Sequence, residues 1–393
     1  MEKNNKNLNV PNLRFPEFSG EWENKRIDEI APLQRGFDLP TQDVEDGDYP
    51  VVYSNGILKY HKTYKCEAPG LVTGRSGSIG SFTYISDGKY WPHNTSLWVT
   101  DFKNNYPPFI YYLYQTINIS QYASGSSVPT LNRNDVHRHI TYLPTFIEQV
   151  KIAKLLVKID ERIDTQRKII EDLKKLKDAI AEKLFCAPEE ESPELRIVNS
   201  SDRWISYRLK DVCQRVSERN SQGLSSLVLT IAAQYGLVSQ TDFFNKSVAS
   251  ENLSNYYLIQ KGDFAYNKSY SGEYVWGAVK RLELYEKGVL SPLYICFRPN
   301  PLIVNSDFLS HYFETHKWHN GIAQIAGEGA RNHGLLNVSI SDYFATLHRL
   351  PGLAEQKKIA SYLNLLSDKI SLANKELQCY SRQKQYLLAR MFI

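Results

Sequence analysis

Two matching blocks constrain this chain more than any other feature. Leu143–Leu156 reads LPTFIEQVKIAKLL, and 207 residues later Leu350–Leu363 reads LPGLAEQKKIASYL, in a register that holds to Phe185 and Phe392. A second pair recurs at another interval. PNLRF at Pro11–Phe15 returns 182 residues on as PELRI at Pro193–Ile197, and the same interval sets Trp22 on Trp204, Arg26 on Arg208, Ile27 on Leu209 and Ile30 on Val212. Blocks repeated in the same order mean a tandem duplication, which governs the fold before any local propensity does. The second copy carries 25 extra residues in its middle, where the match is weak: Gly56 answers Gly236, and Gly70 answers Gly262. The linker Cys186–Glu194, CAPEEESPE, reads as solvated coil.

The constant tail of each copy predicts a long helix. In the first, Ile152, Leu156, Ile159, Ile163, Gln166, Ile170, Leu173, Lys177, Ile180 and Leu184 step alternately by four and three, the signature of a coiled-coil seam. Ile359, Leu363, Leu366, Ile370, Ala373, Leu377, Tyr380, Lys384, Leu387 and Met391 repeat it in the second. Lys177 and Lys384 interrupt the stripe at equivalent places, where a lysine is tolerated if its stem packs and its amine reaches the edge. Glu148 and Glu355 fall in the first turn, favoured by the positive helix end, and Pro144 and Pro351 mark the entry. About 33 uninterrupted residues make a rod of roughly 50 Å. Two such helices related by a two-fold axis across the rod would pair antiparallel.

Between the constant parts, residues 20–143 and 202–350 read as short strands rich in Val, Tyr, Thr and Phe, bounded by Gly, Asn, Ser or Pro. One short helix per copy is expected around Pro108–Thr116 and Ser306–His316. The fold class is α+β, each globular part a curved sheet or partial barrel with a few helices. The expected boundaries are an arm at 1–19, a globular domain at 20–143, a helix at 144–185, a linker at 186–201, a second domain at 202–350 and a second helix at 351–393.

Several chemistries are disfavoured. No run of about 18 apolar residues suggests a membrane span, and MEKNNKNLNVPNLRF has no apolar core of signal-peptide length. Five scattered cysteines, Cys66, Cys186, Cys213, Cys296 and Cys379, argue against a disulfide scaffold or zinc cluster and fit a reducing cytoplasm. Tyr106-Pro107-Pro108-Phe109 resembles the amine-holding motif of nucleic-acid amino-methyltransferases, but Tyr106 stands where that motif needs a polar residue, so a turn into a helix is expected. GRSGSIG at Gly74–Gly80 lacks the Gly-Lys-Ser/Thr ending of a phosphate loop and runs into a strand. His311, His316 and His319 have only Glu314 as an acidic neighbour and read as surface or DNA-facing residues rather than metal ligands. No nucleophile elbow appears, and neither a catalytic nor a metal-binding set is assigned.

What remains are polar, basic loops beside glycines. In the first copy they carry Arg75, Ser76, Ser78, Lys89, His93, Asn94, Ser126, Ser127 and Asn132; in the second, Asn267, Lys268, Ser269, Tyr270, Arg331, Asn332 and His333. These side chains are the donors that contact phosphates and base edges. The net charge of +4 is mildly basic and compatible with a basic patch on one face.

PNLRFPEFSGEW near the start and LP-x3-EQ-x2-IA before each long helix resemble the specificity subunit of type I restriction–modification enzymes, over the whole chain. The resemblance implies two target-recognition domains, each reading one half of a bipartite DNA sequence. It implies helices that form a central antiparallel spacer and dock two methyltransferase subunits, with two motor-nuclease subunits joining. S-adenosylmethionine, ATP and Mg²⁺ are then expected in those partners, with no cofactor and no chemistry in this chain. Because the globular parts differ, the two half-sites are expected to differ. A fused methyltransferase–specificity enzyme and a tandem structural adaptor are the alternatives.

Overall fold

The computed structural model describes residues 9–125, 128–197, 202–232, 236–244, 252–269, 274–326 and 335–393. Contacts divide the chain into two compact units, Met1–Lys168 with Asn374–Ile393, and Ile169–Ala373. The strands of unit 1 are β1 Glu23–Arg26, β2 Leu33–Arg35, β3 Tyr49–Tyr53, β4 Gly56–His61, β5 Cys66–Glu67, β6 Gly70–Gly74, β7 Phe82–Ile85, β8 Lys89–Pro92, β9 Ser96–Val99, β10 Ala123–Ser124, β11 Thr130–Leu131 and β12 Ile140–Leu143. Its helices are α1 Ile27–Ile30, α2 Pro107–Thr116, α3 Arg133–His137 and the first part of α4 Phe146–Leu184. Unit 2 has strands β13 Ile205–Arg208, β14 Cys213–Arg215, β15 Leu229–Ala232, β16 Gly236–Ser239, β17 Tyr257–Gln260, β18 Phe264–Asn267, β19 Ala278–Arg281, β20 Lys287–Leu290, β21 Ile295–Pro299 and β22 Leu347–Leu350. Its helices are α5 Leu209–Val212, α6 Gln240–Phe244, α7 Ser306–Tyr312, α8 His319–Ile325, α9 Ile340–Ala345 and the first part of α10 Leu353–Met391.

The globular parts share one topology beneath dissimilar sequences. The sheet β2-β9-β6-β7 of unit 1 has the same strand order as β14-β21-β18-β19 of unit 2. The second sheet, β4-β3-β8-β5, contains a parallel pairing of Val51 with Trp91. Its counterparts are the hairpin β15–β16 and the antiparallel pair β17–β20, joined by a parallel bridge from Val228 to Val289. In each unit the strand after the PNLRF or PELRI block pairs with the strand before the long helix in one register, Glu23 opposite Leu143 and Ile205 opposite Leu350.

Burial along the long helices follows the four-three steps. Ile152, Leu156, Ile159, Ile163, Gln166 and Ile170 of α4 are buried, and Leu173, Lys177 and Ile180 are half-buried. In α10, Ile359, Leu363, Leu366, Ala373, Leu387 and Met391 are buried, and Ile370, Leu377, Tyr380 and Lys384 are half-buried. Within unit 1 the helices run antiparallel: Asp160 meets Lys384, Arg162 lies over the ring of Tyr380, and Gln166 bonds Glu376. Lys384 Nζ lies 2.8 Å from Asp160, whose carboxylate also accepts from the Tyr112 hydroxyl at 2.7 Å. In unit 2, Lys177 Nζ reaches Glu314 at 2.9 Å. Both seam lysines thus bury a stem and bring the amine to a carboxylate at the edge.

Each long helix ends in a unit other than the one that contains its start. Phe185, just after α4, packs 4.9 Å from Phe308 of unit 2, and Phe392, just after α10, stacks 5.3 Å from Phe109 of unit 1. Trp204 and Trp22 complete these clusters, 6.2 Å from Phe308 and 6.4 Å from Phe109.

His348 is 4% exposed, between the Tyr312 hydroxyl at 3.0 Å and Thr346 Oγ1 at 2.8 Å. Burial lowers its pKa from 6.5 to about 4. The unfolded chain therefore binds more protons than the folded one across that window, so this contribution to stability is complete above pH 6.5 and is lost as pH falls toward 4. The loss is on the order of 3 kcal/mol. Urea unfolding of unit 2 at pH 7, 6, 5 and 4 reads it, and a midpoint that stays flat across the window would contradict it.

Candidate nucleic-acid interface

The repeated blocks meet in a joint that carries each globular part. In unit 1, Arg14 grips Glu148 with two bonds of 2.8 Å and donates a third to Gly20 O, while Leu13 N donates to Arg390 O in the last turn of α10. In unit 2, Arg196 grips Glu355 at 3.0 and 2.5 Å and donates to Asp202 O, while Leu195 N donates to Lys183 O in the last turn of α4. The neighbouring glutamines act alike. Gln149 accepts from Tyr106 N at 3.0 Å and donates to Asn105 and Pro144 O; Gln356 accepts from Asn305 N at 2.8 Å and donates to Ile303 O and Pro351 O. Tyr106 and Asn305 are the N-caps of α2 and α7. The EQ pair therefore ties the incoming block and the globular helix to one helix start. Glu148 and Glu355 lie in the first turn of α4 and α10, as expected, and both carboxylates are in addition buried and paired with arginine.

Among the candidate loops, three that are far apart in sequence converge in unit 1. Residues 74–80 form the turn between antiparallel β6 and β7. Gly74 is required there, because a Cβ would sit 2.2 Å from Ser78 O. Arg75 N and Ser76 N donate to Thr95 O at 2.9 and 3.4 Å, Arg75 O accepts from Leu131 N at 2.7 Å, and Ser76 bridges Thr130. Arg75 and Ser76 thus lie on one ladder with the residues before Asn132 and beside the 93–95 turn, and Ser78 is exposed on the turn itself. His93 is half-buried, 2.9 Å from Thr95 Oγ1 and 3.3 Å from Leu39 O, and burial lowers its pKa. Asn94 donates to Asp38. Asn132 caps α3 by accepting from Asn134 N at 3.0 Å. Lys89 lies apart, 2.7 Å from the Tyr64 hydroxyl and 3.1 Å from Glu67.

Unit 2 repeats the arrangement. Leu336 N donates to Lys268 O at 2.9 Å, Ser269 bridges Leu335, and Asn267 Oδ1 accepts from Ser269 N at 3.0 Å. Ser126, Ser127, Tyr270, Arg331, Asn332 and His333 lie outside the described residues.

Charge sharpens the picture. Of the eleven Lys and Arg residues between 20 and 143, seven lie within 3.5 Å of a carboxylate. Lys59, Lys65, Arg75 and Arg133 have no such partner among the described residues, and Arg75 and Arg133 flank the Leu131 ladder. Arg133, beside Asn132, was not among the sequence candidates. Nor was Arg219, which lies over the Tyr257 ring at 4.5 Å in unit 2.

The decoys resolve as structure. Tyr106-Pro107-Pro108 is the start of α2. His311 is buried, not on the surface, and its Nε2 lies 2.8 Å from Asn364 Oδ1. His316 bonds Glu182 at 2.7 Å. Among the described residues no group of three or more His, Cys, Asp or Glu side chains is placed to hold a metal ion, and no helix is long and apolar enough to cross a membrane.

Residues 19–175 match the family model described as the type I restriction modification DNA specificity domain. A curated relative, the type I restriction enzyme EcoprrI specificity subunit of Escherichia coli, is 23% identical over 174 residues, covering 43% of this chain and 42% of the relative's length. The crystal structure of a type I restriction–modification S subunit from M. genitalium aligns over 98% of this chain and 99% of its own, with 16% identity and a TM-score of 0.60. A structure reported for complex assembly and conformational transition of a type I R-M system aligns over 96% and 98%, with 14% identity and a TM-score of 0.54.

Proposed function

We propose that this protein is the non-catalytic DNA-recognition subunit of a type I restriction–modification complex, since residues 19–175 match the model of the type I restriction modification DNA specificity domain and nearly the whole chain aligns with the fold of an S subunit. Each globular part reads one half of a bipartite, asymmetric duplex target. The long helices dock two methyltransferase subunits, and two motor-nuclease subunits complete the assembly. S-adenosylmethionine, ATP and Mg²⁺ act in those partners, and the complex works in the bacterial cytoplasm.

The observation that carries this reading is the ladder at Arg75. Main-chain bonds bring three distant loops together at a cation that has no carboxylate partner among the described residues, and a lysine sits on the matching ladder of unit 2. Such groups fix a protein on a phosphate backbone and read base edges beside it.

The test is an electrophoretic mobility shift of the full chain, assembled with its methyltransferase, on a pool of random duplexes. Selective retention of one bipartite motif is expected. Retention of no DNA would leave a structural adaptor, and binding of labelled S-adenosylmethionine by the chain alone would make it a fused enzyme.

A further inference from the structure

The strand registers let Arg75 and Lys268 be compared residue by residue. Gly74 stands opposite Ser96 in β9, and Ala265 opposite Cys296 in β21. The main-chain bonds Gly36 N to Ser96 O and Val216 N to Cys296 O fix those opposites as equivalent. On that register Lys268 lies two residues further along its strand than Arg75. The partner strand compensates: Leu336 lies three residues before Ser339, the cap of α9, whereas Leu131 lies one before Asn132, the cap of α3. The ladder is therefore the same one, used two residues further out in unit 2. Both residues lie just past a strand end, Arg75 after Gly74 of β6 and Lys268 after Asn267 of β18.

Both cations are half-buried, and neither has an ion-pair or hydrogen-bond partner for its side chain among the described residues. The main chain of each accepts from a leucine N–H, so its place does not depend on which side chain it carries. The surrounding loops share little, GRSGSIG against NKSYSG. What the two places keep in common is a positive charge, supplied once by Arg and once by Lys. A guanine edge also accepts either side chain, but only where the half-site places a guanine. A phosphate accepts either, and phosphates are what two different half-sites share.

We propose that Arg75 and Lys268 are matching phosphate anchors, one in each reading domain, which hold the duplex while the dissimilar loops around them read bases. The inference rests on the DNA-reading function above and assigns a role within it.

The experiment uses the full chain assembled with its methyltransferase, a duplex bearing the motif that the wild-type assembly methylates, and a scrambled duplex of equal length. Affinities are measured across a salt series for wild type, Arg75→Gln, Lys268→Gln, the double variant, Arg75→Lys and Lys268→Arg. Each glutamine variant is expected to weaken both duplexes by the same factor. It should flatten the slope of log affinity against log salt by about 1, and the double variant by about 2. The methylated motif is expected to stay unchanged, and the Lys and Arg exchanges to keep the wild-type slope. Relaxation of one motif position in either glutamine variant would overturn the anchor and make that residue a base reader; an unchanged slope would overturn it by showing that no phosphate contact was lost. A wild-type assembly that retains neither duplex would overturn the DNA-reading function, and this inference with it.

Discussion

Arg14→Met is expected to lower the stability of unit 1 by about 3–5 kcal/mol, because it leaves the Glu148 carboxylate buried without its counter-charge. The Glu148 side chain is 1% exposed, and both its oxygens accept from Arg14. Arg196→Met should do the same to unit 2 through Glu355. Arg14→Lys should lose less, since a point charge remains but the two-pronged grip does not. The double variant Arg14→Met with Glu148→Leu should regain most of the loss, because an apolar pair of similar volume avoids desolvating two charges. Urea unfolding followed separately for the two units reads the effect. If single and double variants fell equally, packing around the joint, rather than the stranded carboxylate, would be the source.

The second large effect concerns modularity. Replacing residues 205–350, from the first residue of β13 to the last of β22, by the corresponding segment of another such protein should change one half-site completely and leave the other intact. The joint permits this exchange for a specific reason. On the replaced segment, Gln356 contacts only main-chain atoms, Asn305 N and Ile303 O, so any sequence that folds to the same helix start can supply them. Arg196, Glu355 and the helix ends remain outside the exchange. Sequencing the methylated motif of cells that carry the chimera decides the matter. A motif altered in both halves would show that the domains do not read independently.

The long helices were legible because a seam writes itself locally: each buried position follows from a step of three or four along one segment. The EQ blocks were visible but their purpose was not. Arg14 finds Glu148 across 134 residues, and Arg196 finds Glu355 across 159, and periodicity carries no information about such a pair. The common topology of the globular parts was hidden for a related reason. Their strands are two to six residues long, and a short strand can keep its neighbours while nearly every side chain changes. Of the candidate loops, residue type alone could not separate Arg75, whose side chain has no partner among the described residues, from Lys89, held by Tyr64 and Glu67, or Asn132, occupied as a cap.

The way each helix finishes in the other unit's core has a consequence for synthesis. The core of unit 2 is complete once residue 373 has been made, because everything it packs lies between Ile169 and Ala373. The core of unit 1 needs Leu387, Met391 and Phe392, which are made only after the whole of unit 2. The usual order, in which the N-terminal domain folds first, is thereby reversed. Until unit 2 has been made, the faces of Ile152, Leu156 and Phe109 in unit 1 lack these covering residues.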